Sequence, residues 1–168
     1  QKSAKLGEFT ATSEENLMMR QIALAILLGC LAAAASAQSL LVLKSPTCGC
    51  CEGWIDHLDA TGFTTEHQHP DNLAERKQQL GIAPRYQSCH TGISEQGFVF
   101  EGHVPAKFIA AFIDNPPAEA IGLSVPGMPI GTPGMESGER FTPYTIWALY
   151  RDGSASPYAQ IGSVEQQF

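Results

Sequence analysis

Basic residues are scarce in this sequence, and so are long apolar runs. The 168 residues include 10 Lys and Arg against 17 Asp and Glu, a formal net charge of −7. No basic stripe is present, which argues against a nucleic-acid partner. The apolar stretch 22–37 is shorter than the ~20 residues that a transmembrane helix needs, and its alanine-rich end is only weakly apolar. We therefore predict no membrane span in the mature chain.

The first 37 residues have the pattern of a targeting segment. Residues 1–17 are polar, show no apolar period and are predicted to be an upstream extension without function. Residues 18–37 then carry one positive charge at Arg20, an apolar run, and the small residues Ala35-Ser36-Ala37. This layout is typical of a secretory signal peptide. We predict export, with a mature chain that begins at Gln38.

Two other interpretations of this segment compete with soluble export. Leu27-Leu28-Gly29-Cys30 resembles a lipoprotein cleavage box, which would make Cys30 the lipid-modified first residue. A retained membrane anchor is the weaker alternative, because the run is short.

Hydrophobic periodicity predicts an α/β domain over residues 38–153, with a loosely ordered tail over 154–168. A Gly- and Pro-rich loop is expected at 122–138, and a last strand at 144–153. The order β-α-β-α-β-β-α is the thioredoxin-like arrangement, with a C-x-C-C turn at the N-terminus of the first helix. The predicted strands and helices of that order are 39–44, 51–60, 63–69, 71–80, 90–94, 97–101 and 105–115.

Cysteines are few but clustered, and three of the five fall within four positions. Cys48, Cys50 and Cys51 come directly before the first predicted helix. Unpaired amides and the positive dipole end at a helix N-terminus favour thiolates over thiols. Two chemistries use that environment: thiol–disulfide exchange and the binding of soft metals.

The spacing fits metal binding better than exchange. Cys48 and Cys51 have the C-x-x-C spacing of exchange proteins, but Cys50 between them is a competing thiol. Structural zinc sites usually use two separate cysteine pairs, which this chain lacks. Thiolates favour Cu(I), zinc and iron–sulfur clusters. A packed triplet joined by one remote sulfur suits the bridging of one or several Cu(I) ions, and we expect Cys89 to meet the triplet in the fold.

The second half of the sequence adds further soft donors. His90 follows Cys89 directly, and the repeated Pro-Gly-Met places Met128 and Met135 in a Gly- and Pro-rich loop. Thioethers in such a loop can act as soft ligands or simply pin the loop to the surface. His90 can equally be hydrogen-bonded rather than ligating.

The remaining histidines are expected to lie outside the site. His67 and His69 share one strand face that is expected to be exposed, and His57 lies two turns beyond Cys50, about 10 Å along the helix. His103 precedes the third helix and is expected to cap or pack there, with a role in a pocket as the alternative. Trp54 is expected in the core or over the sulfurs.

Four segments together resemble a known family. SPTCGCCEGWIDHL, YQSCHTG, FEGHVPA and VPGMPIGTPGME, in this order, resemble the CopG-like copper-resistance family of the bacterial periplasm. The resemblance covers about residues 40–152. It implies a thioredoxin-like, copper-binding protein with a part in copper handling or redox conversion.

The resemblance also implies a ligand set and a setting. The thiolate ligands that the resemblance implies are Cys48, Cys50, Cys51 and Cys89, with Met128, Met135 and His90 as neighbours. The expected ligand is copper as Cu(I), in one or several ions, the expected location is the periplasm, and other periplasmic copper-handling proteins are the expected partners.

Three functions therefore stay open from the sequence. The first is a periplasmic Cu(I)-binding protein for copper tolerance or transfer. The second is a periplasmic thiol–disulfide or copper-linked oxidoreductase, and the third is an interaction domain stapled by zinc.

Overall fold

A computed structural model describes residues 38–168, which form one mixed sheet of seven strands with three α-helices. The strands are β1 (Ser39–Lys44), β2 (Thr64–Gln68), β3 (His90–Ser94), β4 (Val99–Glu101), β5 (Ala120–Ser124), β6 (Tyr144–Tyr150) and β7 (Ala155–Ile161). The helices are α1 (Gly49–Ala60), α2 (Leu73–Gln79) and α3 (Ala106–Asp114), and short 3₁₀ turns occupy Pro84–Tyr86 and Val164–Gln167. The predicted signal peptide, upstream extension and Cys30 lie outside the described residues.

The strand order across the sheet is β2-β1-β3-β4-β5-β6-β7. β1 pairs with β2 in parallel and β4 with β5 in parallel, while every other neighbouring pair is antiparallel. The prediction of a mixed α/β domain is confirmed. β1 lies inside the sheet and its apolar run is buried, as a strand covered on both faces should be.

α1 packs on the core and carries the cysteine turn at its start. Trp54, Ile55 and Leu58 form its buried stripe, as the periodicity predicted. The helix begins at Gly49, two residues earlier than predicted, so Cys48 is its N-cap and Cys50 and Cys51 lie in its first turn. Gly62 ends it with φ +95°, a conformation that glycine adopts without a steric penalty.

α2 and α3 each start one residue later than predicted. Asn72, not Asp71, caps α2, because its side-chain oxygen accepts the Glu75 N–H at 3.1 Å. Pro105 is the N-cap of α3 rather than its first helical residue.

The prediction of a loosely ordered tail after Ser154 is wrong. Residues 155–161 form β7, which pairs with β6 and completes the sheet edge. Pro157 weakened the strand signal in the sequence, but an edge strand tolerates proline because one side needs no ladder hydrogen bonds. Buried Gln167 then fastens the C-terminus by accepting from the Tyr144 hydroxyl at 2.8 Å and donating to the Gly131 carbonyl at 2.9 Å.

The predicted loop 122–138 is also shorter than expected. Its first residues belong to β5, which pairs with both β4 and β6. The glycines of this segment hid the strand, because Gly122 lies in its middle, against the Val99 carbonyl where no side chain would fit.

Candidate metal centre

The cysteine turn joins the carboxyl end of β1 to α1. Cys48 is the N-cap of α1, and Cys50 and Cys51 occupy its first turn, so all three lie at the positive end of the helix dipole as predicted. Cys51 is fully buried, whereas Cys48 and Cys50 are half-buried. Cys48 and Cys51 form a disulfide, and the Cys50 sulfur is a free thiol 3.6 Å from that of Cys48.

Cys89 reaches the same place through the pairing of β1 with β3. These strands are antiparallel and pair Lys44 with His90, so the residue just before β3 lies at the end of the sheet where β1 gives way to the cysteine turn. The sulfurs of Cys48, Cys50, Cys51 and Cys89 all lie within 4.8 Å of one another. This gathering agrees with the expectation that Cys89 joins the triplet; that the four act as ligands stays a prediction.

Two histidines extend the cluster on the side of Cys89. Its sulfur lies 3.2 Å from His90 Nδ1 and 3.2 Å from His103 Nε2. His103 Nδ1 is 2.8 Å from the Pro133 carbonyl, which can only accept, so Nδ1 carries the proton and Nε2 presents its lone pair to the sulfur. Orientation of a ring by a carbonyl is the usual arrangement for a metal-binding histidine.

From the sequence, His103 is predicted to cap or pack at the third helix, with a pocket role as the alternative, and it is not among the predicted metal ligands. The tight turn at Gly102, φ +72°, carries the chain from β4 back toward Cys89 and turns the fully buried His103 into the cluster. The only sequence signal was its place within the segment FEGHVPA.

Burial controls the protonation of these groups. It raises the pKa of Cys89 to about 11, with a further contribution from the neighbouring Cys50. It also holds the pKa of His90 well below the usual range, assisted by His103 and Lys77, and lowers the pKa of His103. Near neutral pH the centre therefore holds Cys89 as a thiol and both imidazoles as neutral rings.

Trp54 is both a core residue and a wall of the centre. Its ring is fully buried and lies 4.3 Å from the His90 ring, centroid to centroid, and its Nε1–H donates to the Val104 carbonyl at 2.8 Å. The tryptophan thus fixes the plane of His90. Among the described residues, His90 Nε2 is the one buried side-chain polar atom without a hydrogen-bond partner.

A buried ion pair behind Cys89 holds the backbone that carries it. Lys77 of α2 and Glu101 of β4 are nearly fully buried and 2.5 Å apart. Glu101 Oε1 accepts the Ser88 N–H at 2.6 Å, and Lys77 Nζ donates to the Ser88 carbonyl at 2.6 Å. Thr91 donates to the other carboxylate oxygen. The ion pair therefore forms hydrogen bonds with both the N–H and the carbonyl of Ser88, the residue before Cys89.

The Pro-Gly-Met loop packs on α1 beside the cysteines. Gly134 lies against the backbone of Cys50 and Trp54, and Gly53 of α1 faces it in turn. Met135 is half-buried and Met128 is 54% exposed. Their role as metal ligands stays a prediction.

Replacing Gly134 with alanine should push this loop off α1. The added Cβ would lie 2.5 Å from the Trp54 nitrogen and 2.6 Å from the Cys50 oxygen, at a residue with φ +83°. Gly127→Ala is the matched control, because Gly127 has φ +69° but open space around it. Urea unfolding should show that Gly134→Ala lowers the free energy of unfolding by about 1–3 kcal/mol more than Gly127→Ala does. Equal losses of stability in the two variants would show that the loop does not pack tightly against α1.

The other histidines lie outside this centre. His67 of β2 and His69, which follows the end of that strand, are both exposed, as predicted. His57 is half-buried, and its Nε2 accepts the backbone N–H of Ala106 at 3.0 Å, an otherwise unpaired donor at the start of α3.

The contact of His57 predicts a loss of stability in acid. Burial lowers the pKa of His57 below its usual ~6.5, so the unfolded chain takes up the proton first as the pH falls. The stabilisation is therefore present above about pH 6.5 and is lost below it, at up to about 1.4 kcal/mol per pH unit. Urea unfolding of the metal-free protein at pH 7.5 and 5.5 measures this. His57→Gln keeps an acceptor that does not titrate and should reduce the difference; an unchanged difference would contradict the assignment.

Residues 38–168 thus form a mixed α/β domain with a cysteine cluster that can hold a metal. Two solved structures, forms 1 and 2 of the copper resistance protein CopG, are similar to it at 38% sequence identity and a TM-score of 0.71. Each comparison covers 76% of this chain and 100% of the other. The chain therefore belongs to the CopG family of copper resistance proteins.

A protein-family model also matches part of this chain. A family model described as a protein of unknown function, DUF411, matches residues 86–135, the part that holds Cys89, His90, His103 and both methionines of the loop. No curated protein matches the chain. Within residues 38–168, no helix is long and apolar enough to cross a membrane.

Proposed function

We propose that this protein binds Cu(I) in the bacterial periplasm and serves copper tolerance or copper transfer. The observation that carries the proposal is the gathering of four cysteine sulfurs within 4.8 Å of one another, in a member of a copper resistance family. Thiolates are the ligands that Cu(I) prefers, and each monovalent ion offsets one thiolate charge. Four sulfurs so close together can bridge more than one ion.

The ligand set that we propose is Cys48, Cys50, Cys51 and Cys89, with His90, His103, Met128 and Met135 around it. The Cys48–Cys51 disulfide must be reduced by two electrons before all four sulfurs can bind as thiolates. Cys89 must also lose its proton, since its pKa is raised to about 11. Copper binding by the reduced protein is therefore expected to release protons.

We also propose that residues 39–114 form a thioredoxin-like unit. Their elements follow the order β-α-β-α-β-β-α. β1 and β2 are parallel, β3 is antiparallel to β1, and β4 is antiparallel to β3. This arrangement puts the C-x-C-C turn at the exposed end of α1, where a metal or a partner can reach it.

Titration of the reduced protein with Cu(I) against a competing chelator tests the copper proposal. The reduced protein should outcompete the chelator, and a variant with all four cysteines replaced by serine should not. Circular dichroism confirms that the variant is folded, and elemental analysis of the native protein separates copper from zinc. An affinity equal to that of the quadruple variant would end the proposal.

A second function, thiol–disulfide or copper-linked redox activity, is favoured by the disulfide itself. Cys48 and Cys51 are bonded at the N-terminus of α1, and the free thiol of Cys50 lies 3.6 Å from the Cys48 sulfur. Thiol counting with and without a reductant tests this alternative. It is excluded if Cys48 and Cys51 do not cycle between dithiol and disulfide.

A further inference from the structure

A pair of histidines lies at the end of β2 and is not part of the sulfur cluster. His67 lies in β2, and His69 comes directly after Gln68, the last residue of that strand. Both are exposed, and β2 is the outermost strand on its side of the sheet. Their ring centroids are 5.4 Å apart.

We propose that His67 and His69 form a second, separate metal site that binds divalent copper. A metal–nitrogen bond of about 2.0 Å places the ion roughly 3 Å from each ring centre. Two imidazoles on one ion then have centroids roughly 4.5–6.5 Å apart, depending on the angle between them. The observed 5.4 Å falls in this range without movement of the backbone.

One of the two rings is already oriented for a metal. His69 Nδ1 lies 3.0 Å from the Lys44 carbonyl, and because a carbonyl only accepts, Nδ1 donates its proton there. This leaves Nε2 of His69 as the lone pair directed away from β1. The same hydrogen bond from the second ring nitrogen to a backbone carbonyl is what orients most metal-binding histidines.

The local charges do not oppose a cation. The ammonium of Lys44 is buried and lies 2.6 Å from Glu52 Oε1, so its charge is already paired. The pKa of Glu52 is lowered first by its hydrogen bond with Lys44, and the charges of Lys44, His67 and His69 add to this. The Lys44–Glu52 pair is neutral as a whole, so Lys44 does not repel a positive ion at the two imidazoles.

Two imidazole nitrogens are donors for a borderline divalent ion rather than for a soft monovalent one. Copper(II) binds nitrogen donors more tightly than the other divalent first-row ions, which is why we name it as the ligand. This inference is independent of the proposed Cu(I) function, since it uses none of the cysteines.

Titration with Cu(II) in a Cys50→Ser, Cys89→Ser background tests the site. This background keeps the Cys48–Cys51 disulfide and removes the two free thiols, which would reduce or capture the ion. Replacing either histidine with alanine should weaken Cu(II) binding by about 100-fold, the lower end of the gain that a second linked contact supplies. Gln68→Ala is the matched control, because Gln68 is exposed between the two histidines in the sequence, and it should bind normally.

Electron paramagnetic resonance of the bound Cu(II) should show coupling to two imidazole nitrogens that falls to one in each single variant. Affinity within twofold of the background in both histidine variants would overturn the proposal. If the cysteine background does not fold, the unmodified protein with Ni(II) serves instead. The imidazole proton signals of His67 and His69 should then broaden before that of His57, and the reverse order would equally overturn the site.

Discussion

Replacing Cys89 with serine should lower the Cu(I) affinity of the reduced protein by more than about 100-fold, beyond the loss expected from an outer contact alone. Cys89 is the one sulfur of the cluster that does not come from the α1 turn, and its atom also contacts His90 and His103 at 3.2 Å. Its loss separates the cysteine turn from both imidazoles. Competition titration with a Cu(I) chelator measures the change.

The control for this substitution is Ser45→Ala, at an exposed residue of the same turn that contacts Thr47. It should bind Cu(I) like the unmodified protein. If Cys89→Ser also kept its Cu(I) affinity, the three cysteines at the start of α1 would be sufficient for binding. The contact of Cys89 with them would then contribute nothing to copper affinity.

The Glu101→Gln variant should be less stable by about 3–5 kcal/mol, because it leaves the ammonium of Lys77 buried without a counter-charge. Burial raises the pKa of Glu101, but Lys77 and the donors Thr91 and Ser88 oppose that shift. The carboxylate is 0% exposed, so water cannot replace it. Urea unfolding of the metal-free protein measures the loss.

A double variant separates the charge from the hydrogen bonds. Lys77→Met with Glu101→Leu removes both charges and should recover much of the lost stability, while the Ser88 and Thr91 donors stay unpaired. Glu95→Gln, at an exposed residue of the β3–β4 turn, should change stability by less than about 0.5 kcal/mol. A single Glu101→Gln variant as stable as Glu95→Gln would show that the pair does not hold the backbone before Cys89.

The fold was predictable where a periodic pattern was local and strong. The buried stripe of α1, the glycine that ends it and the run of β1 follow from spacings of three to four or from a short apolar run. β7 was missed because its pattern is weak and interrupted by Pro157, and pairing with β6 stabilises it nonetheless. Here a tertiary contact overrode the local preference.

The candidate site was predictable only in part, for a similar reason. The residue types and their clustering pointed to Cys48, Cys50 and Cys51, and the segment around Cys89 to a fourth sulfur. Lys77 and Glu101 left no such signal, because a charged residue in a sequence is expected at the surface. Only the burial of both partners, 24 positions apart, reveals their pairing.

The sequence by itself determined one chemical feature of this protein, a helix N-terminus that carries three sulfurs. Side-chain type and near-neighbour spacing suffice for that, because they act over a few residues. The tertiary structure alone decided that Cys89 meets those sulfurs, that His103 contacts Cys89, and that Cys48 is bonded to Cys51. Such contacts depend on which strands pair and in what register, and that is settled by the burial of the whole core rather than by any one segment.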